Sequence, residues 1–234
     1  MRAVDARNPA AFTLVELLVA IGVLAVLVAL SLPALSGAGS AAEHAKCLNT
    51  MSRLGRAFSL FTAENDGFLP RSFHSAATHR SQNWAAAVAP FLGIEADPSS
   101  DRWTTAFNAS FRCPCDPNRS PMQYSYGLNV HFELDPEGDD YAGSPATWRR
   151  TAAVPHPSRT ILLAECMPSL YADHFMCHQW SSLKAARTAT AHTRHAGRSH
   201  FLFLDGHVER LPIESTFDPA KAVNRWNPSL AGKN

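Results

Sequence analysis

Ala11-Phe12-Thr13-Leu14-Val15-Glu16, continued by Leu17-Leu18-Val19-Ala20-Ile21-Gly22-Val23-Leu24-Ala25-Val26-Leu27-Val28-Ala29-Leu30, decides how the rest of the chain is read. No charged residue occurs from Leu17 to Ala42. A helix of that length crosses the roughly 30 Å hydrocarbon core of a bilayer. Glu16 stands at the front edge of the run. A carboxylate inside a membrane costs at least ~2.5 kcal/mol, so it implies a function and a partner. Ahead of the run, Met1 to Ala11 carries Arg2 and Arg7 against Asp5, a slight basic excess with the sign of a cytoplasmic flank. The domain that follows would then be exported.

The Ala11|Phe12-Thr13-Leu14-Val15-Glu16 junction with its apolar run resembles the class III signal segment of type IV pilins and type II secretion pseudopilins. The resemblance implies cleavage by a prepilin peptidase between Ala11 and Phe12, N-methylation of Phe12, and a role for Glu16 in bringing subunits into a filament. Pairing Glu16 of one subunit with the Phe12 amine of another would cancel two costly charges and fix one axial offset. The residue before the cut is usually Gly in that family. Ala11 keeps it small, so slower cleavage is expected. Two plainer readings are an ordinary secretory signal with small residues at Ser36-Gly37-Ala38, and a plain single-span anchor. The leader's length and the acid in the apolar region speak against the first.

Pro33 lies inside the helical pattern, where it removes a backbone hydrogen bond and predicts a kink. Pilin-like proteins commonly carry a proline there. Ser36-Gly37-Ala38-Gly39-Ser40 reads as a flexible joint. From Glu43 a second pattern begins: Cys47, Met51, Leu54, Phe58 and Phe61 form one apolar stripe at helical spacing. Asn65-Asp66-Gly67 is the stop. The stripe is read as packing surface, not as a cofactor site.

With 234 residues the chain holds this helix and one globular domain. A net charge of +1 gives no broad case for nucleic-acid binding. Sixteen Pro and twelve Gly predict a loop-rich domain, and all five Cys follow the apolar run, on the oxidising side in this topology. Arg112-Cys113-Pro114-Cys115-Asp116-Pro117 is a constrained loop. Cys-x-Cys is tighter than structural zinc spacing, and a Cys47–Cys113 disulfide would staple this loop to the helix. Cys166–Cys177 is a second candidate pair, leaving Cys115 over; an odd count leaves other pairings open.

Asn83 to Gly93 reads as a short helix, Gln123 to Asn129 and Arg159 to Glu165 as strands, and Asp135 to Pro145 as an exposed loop. His174, His178 and Trp180 are expected to form a local cluster. Ser199 to Leu211 reads as a hairpin turning at Asp205-Gly206 by a two-residue type I′ turn, with Phe203 opposite Val208 and Leu202 opposite Glu209. His195, nine residues, then Asp205-Gly206 is similar to the H-X9-DG motif that closes many bacterial prepilin-like proteins. Cys113-Pro114 and Pro157-Ser158-Arg159-Thr160-Ile161-Leu162 match that group as well. His192, His195, His200 and His207 invite a metal-hydrolase reading, but the alternation of His200 and His207 about a hairpin suits surface or cross-strand positions. His195 is expected to hold the Asp205 turn. No metal or cofactor is expected, and no catalytic motif is present.

The expected fold is α+β: a long N-terminal helix, transmembrane then amphipathic, packed on a C-terminal antiparallel sheet. The expected division is leader 1–11, transmembrane and filament-core helix 12–35, helix extension 36–67, and an extracytoplasmic globular domain 68–234. The expected function is structural and non-enzymatic: a single-pass inner-membrane subunit of a type II secretion or type IV pilus-like filament. Its expected partners are prepilin peptidase, homologous subunits, the inner-membrane assembly platform and the lipid bilayer. A type IV pilin for adhesion, motility or DNA uptake is the alternative. An anchored ligand- or metal-binding domain that never polymerises is the alternative of another class.

Overall fold

A computed structural model describes residues 12–95, 100–118, 123–134, 148–167 and 173–233, with the side chains of 32–38 and 40 excepted. The leader with Ala11, the Asp135–Pro145 loop and part of the Met167–Ala191 stretch lie outside the described residues. The chain divides into two units, Met1–Ala42 and Glu43–Asn234.

In the first unit the chain becomes helical at Leu14, the start of α1 (Leu14–Glu64). Every side chain from Phe12 to Ser31 is exposed, and Leu14–Ser31 is long and apolar enough to cross a membrane. Leu and Val exposed on every face of a helix are unfavourable in water and suited to lipid. The backbone is helical through Pro33 and through residues 36–40, where the sequence reads a kink and a joint.

The second unit begins with residues 43–64 of α1. Cys47, Met51, Leu54 and Phe58 are all but fully buried, as the stripe requires. Phe61 is half-buried, edge-on to Phe91. The helix stops where the sequence says. Asp66 and Gly67 take left-handed φ of 53° and 79°, and Gly67 N donates to Thr62 O at 2.8 Å. That is the C-terminal arrangement in which an orphan carbonyl is satisfied by a residue past the helix.

Three short helices follow: α2 (Phe73–Thr78), α3 (Trp84–Val88) and α4 (Asp101–Ser110). Asn83 caps α3 through its side chain, and a 3-10 turn carries on to Gly93 at φ 74°. The sheet is built from β1 (Tyr126–Asn129), β2 (Ile161–Glu165), β3 (His174–Phe175), β4 (Ser199–Phe203) and β5 (Val208–Leu211), with α5 (Leu183–Ala189) before β4. Its order is β3-β1-β2-β4-β5, antiparallel except for β1 with β3. A two-stranded sheet, β6 (Phe217–Asp218) and β7 (Val223–Asn224), lies near the C-terminus.

The central strands are buried on both faces. One core cluster joins Cys47, Met51, Leu54 and Phe58 of α1 to Leu128, Leu163 and Leu202 of the sheet. The other gathers Ile161, Phe201, Phe203, Phe175 and Trp226 on the opposite side. The sheet is thus a middle layer, which is why β1, β2 and β4 lack polar alternation. The architecture is α+β, as expected.

The hairpin differs by one residue from the sequence reading. Leu202 pairs with Val208 and Phe201 with Glu209. Phe203 N donates to His207 O, and Gly206 N donates to Phe203 O, both at 2.9 Å. Three residues therefore turn the chain, with Gly206 at φ 93° and Asp205 not left-handed. A type I′ turn needs positive φ at both central positions. That pattern occurs instead at Ala196-Gly197, with φ of 54° and 80°. Gly55 lets α1 approach this hairpin: a Cβ there would lie 2.8 Å from Leu202 Cδ1 and 3.3 Å from Gly206 O.

Candidate functional site

Two places carry the residues singled out by sequence. The first is the start of α1. Phe12 is exposed. Glu16 Oε2 accepts hydrogen bonds from Thr13 N at 2.9 Å and from Thr13 Oγ1 at 2.8 Å. In return Glu16 N donates to Thr13 Oγ1 at 3.2 Å. This is a capping box: Thr13 caps the helix and Glu16, three residues on, satisfies the cap's own N–H. The Thr-x-x-Glu spacing was readable, and sequence reasoning passed over it. Within one chain, then, Glu16 already has a local partner.

The second place is a buried cluster on the α1 side of the sheet. Tyr126 and Glu165 are register partners in β1 and β2. His200 pairs with Arg210 in β4 and β5, and the Ala164–Phe201 pair puts Glu165 and His200 one step further along adjacent strands. A polar row thus crosses the sheet. Glu165 and His195 are 0 % exposed and His200 2 %. Glu165 Oε1 lies 2.7 Å from His195 Nε2 and 3.5 Å from His200 Nδ1, while His200 N donates to Glu165 Oε2 at 2.9 Å. Burial pushes the Glu165 carboxyl up; the two imidazoles more than offset this and hold it at about 2. The acid is ionised in the core.

Around it lie other compensated charges. Arg194 Nη2 meets Asp116 Oδ2 at 3.1 Å and donates to Cys166 O at 2.8 Å. Asp116 Oδ2 also accepts from Ser125 Oγ at 2.6 Å. His44 of α1 sits edge-on to His195, with ring centroids 4.9 Å apart, and Arg210 Nη1 donates to His44 Nδ1 at 3.1 Å. Cys47 and Cys113 are disulfide-bonded, and Cys113 Sγ lies 3.6 Å from His195 Nε2.

Several expectations need correction. His195 does not hold the Asp205 turn; it reaches Glu165 instead. Asp205 Oδ1 accepts from its own neighbour His207, at 3.2 Å from N and 2.5 Å from Nδ1. His195 and Asp205-Gly206 lie before and after β4, so they anchor its two ends rather than each other. His200 is not a surface residue, because α1 covers that face of β4. His207 is half-exposed, stacked on Phe203. Cys166 and Cys177 do not bond. Cys166 Sγ donates to Tyr124 O at 3.2 Å and Cys177 Sγ to Asn129 Oδ1 at 3.0 Å, each held by its own strand neighbourhood. Burial raises both thiols to about 12. The expected His174–His178–Trp180 cluster is dispersed: His174 pairs with Asp173 at 2.9 Å, His178 faces His131, and Trp180 packs on Phe217 and Trp226.

Among the described residues, two groups have donor atoms within 4.8 Å of one another: Glu165, His195 and His200; and Cys47, Cys113, Cys115 and His195. The disulfide removes two sulfurs from the second as ligands. Elsewhere, an open hollow of about 500 Å³ is bordered chiefly by apolar side chains, Trp180, Phe217, Pro219, Val223 and Leu230 among them.

No curated protein and no solved structure matches the chain. Over residues 6–32, which include the Ala11–Phe12 junction, Glu16 and the apolar run, the chain matches the prokaryotic N-terminal methylation motif, and this supports a prepilin-like protein with a single N-terminal membrane anchor.

Proposed function

We propose that the chain is a structural subunit of a type II secretion pseudopilus or related type IV pilus-like filament, and not an enzyme. The observation that carries the reading is the methylation motif over residues 6–32, ending in a helix whose side chains are exposed all round. Prepilin peptidase would cut between Ala11 and Phe12 and methylate the Phe12 amine. The released helix would stay in the inner membrane and later line the filament core. The segment 12–35 serves as anchor, 36–67 as extension, and 68–234 as the extracytoplasmic domain. The Cys47–Cys113 disulfide in the second unit agrees with export to an oxidising compartment. The partners are prepilin peptidase, homologous subunits, the assembly platform and lipid. The H-X9-DG spacing of His195, Asp205 and Gly206 is read as a fold device that fixes β4 at both ends.

The capping box makes a clean test possible. Gln serves at the third helical position of a capping box as Glu does. Glu16→Gln therefore keeps the helix start and removes only the charge. In cells that hold the whole assembly apparatus, Glu16→Gln is expected to insert in the membrane normally and to be absent from sheared filament fractions. Incorporation at wild-type level would refute the filament role.

A further inference from the structure

We propose that Glu165, His195 and His200 form a binding site for one zinc-class divalent transition ion, buried between the sheet and residues 43–64 of α1. The proposal concerns the globular unit and does not depend on polymerisation.

The donor set is the first ground. Two imidazoles and one carboxylate are the ligands such ions take. All three side chains are essentially out of water, and their donor atoms lie within 4.8 Å of one another. Bonds of about 2.0–2.1 Å at tetrahedral angles set donors about 3.3 Å apart. The existing separations from Glu165 Oε1, 2.7 Å to His195 Nε2 and 3.5 Å to His200 Nδ1, bracket that value. The first contact would have to open by less than an ångström to reach it, and the two imidazole nitrogens already lie within 4.8 Å of each other.

Unmet bonding is the second ground. His200 Nδ1 points toward Glu165 Oε1 and makes no hydrogen bond, although it is buried. A buried imidazole nitrogen with no partner costs about 1–3 kcal/mol. Were Glu165 neutralised by a protonated His195 alone, His200 Nδ1 would be left with the long 3.5 Å contact to Glu165 Oε1 and no hydrogen bond. An ion at the centre of the three gives it a bond and balances the carboxylate. The nearby Arg194 does not serve as that counter-charge, because it is already matched by Asp116 at 3.1 Å.

The third ground is placement. Glu165 ends β2, His200 lies in β4, and His195 is fixed by the Ala196-Gly197 turn, with His195 N donating to Arg198 O at 3.2 Å. One ion would therefore tie two strands and the preceding turn together, as structural sites do. On the α1 side, half-buried His44 lies edge-on against His195 and accepts a hydrogen bond from Arg210. Three protein ligands leave a fourth position for water.

The test uses the full-length chain in detergent, stripped with EDTA under non-reducing conditions and titrated with Co²⁺, then Zn²⁺. One ion per chain by mass spectrometry of metals is expected, with the visible bands of low-coordinate cobalt and a raised Tm. Glu165→Gln and His200→Gln should each weaken Co²⁺ binding by roughly tenfold or more, the scale set by loss of weaker outer-shell partners. Should those variants fail to fold, X-ray absorption of the cobalt-loaded wild type decides: a nitrogen and oxygen shell supports the site. A folded wild type that takes up no ion and gains no Tm overturns the proposal. So do binding undiminished in both variants, loading that occurs only after the Cys47–Cys113 bond is reduced, or a sulfur-containing shell.

Discussion

Removing the Cys47–Cys113 cross-link should cost a large part of the domain's margin of stability. The bond closes a loop with a sequence separation of 66 residues. Loop-closure entropy for that length, −2.1 − 1.5R ln n cal/mol/K, amounts to about 4 kcal/mol at 25 °C. Domains of ordinary size have only about 5–15 kcal/mol in total. Cys47→Ala removes any link between α1 and the 113–115 turn and should show the full loss. Cys113→Ala should show less, because Cys115 Sγ lies within 4.8 Å of Cys47 Sγ and can take over the bond. The assay is urea denaturation of the oxidised full chain followed by fluorescence of its tryptophans, among which Trp84, Trp103 and Trp226 are buried. A Cys47→Ala cost under about 1 kcal/mol would refute the entropic account. A Cys113→Ala cost equal to that of Cys47→Ala would refute the substitution by Cys115.

Two further outcomes follow from local geometry. Ala196 is held at φ 54°, where a β-carbon costs roughly 1–2 kcal/mol; Ala196→Gly should raise stability in the same denaturation assay by up to about 1 kcal/mol, net of the freedom glycine adds to the unfolded chain. His131, buried and facing His178, is pushed down to about 4 by its burial first and by His178 second. Its stability contribution is complete above the unfolded value of about 6.5 and is lost as pH falls from there toward 4, because the unfolded chain then binds the extra proton. That window is worth about 3 kcal/mol. The slope of stability against pH between 6.5 and 4 should shrink in His131→Phe; an unchanged slope would place the titration elsewhere.

Local signals in the sequence were legible and distant ones were not. The stripe Cys47-Met51-Leu54-Phe58 and the stop at Asn65-Asp66-Gly67 need only helical periodicity and a left-handed terminus, and both stand as read. The hairpin was visible, but its register hung on the φ of Asp205, which the dipeptide Asp-Gly does not determine. His200 was misplaced because its burial comes from α1, far away in sequence, covering β4. Glu165 drew no attention as the last residue of Ile161-Leu162-Leu163-Ala164-Glu165, yet an acid closing an unbroken apolar strand was the available clue. Cys166 and Cys177 were one candidate pair among several, and the strands that hold each thiol could not be known without the sheet order. Thr13-x-x-Glu16 was a readable capping box eclipsed by the family role of Glu16.

The central claim is that the apolar helix is released at an aromatic residue and kept as an anchor. Intact-mass and N-terminal peptide measurement on membrane-extracted protein tests it most directly. The account predicts a chain that begins at Phe12 and is one methyl group heavier than the unmodified sequence from that point. A chain that still begins at Met1, or one that begins near Ala38 after removal of the whole apolar run, would contradict it.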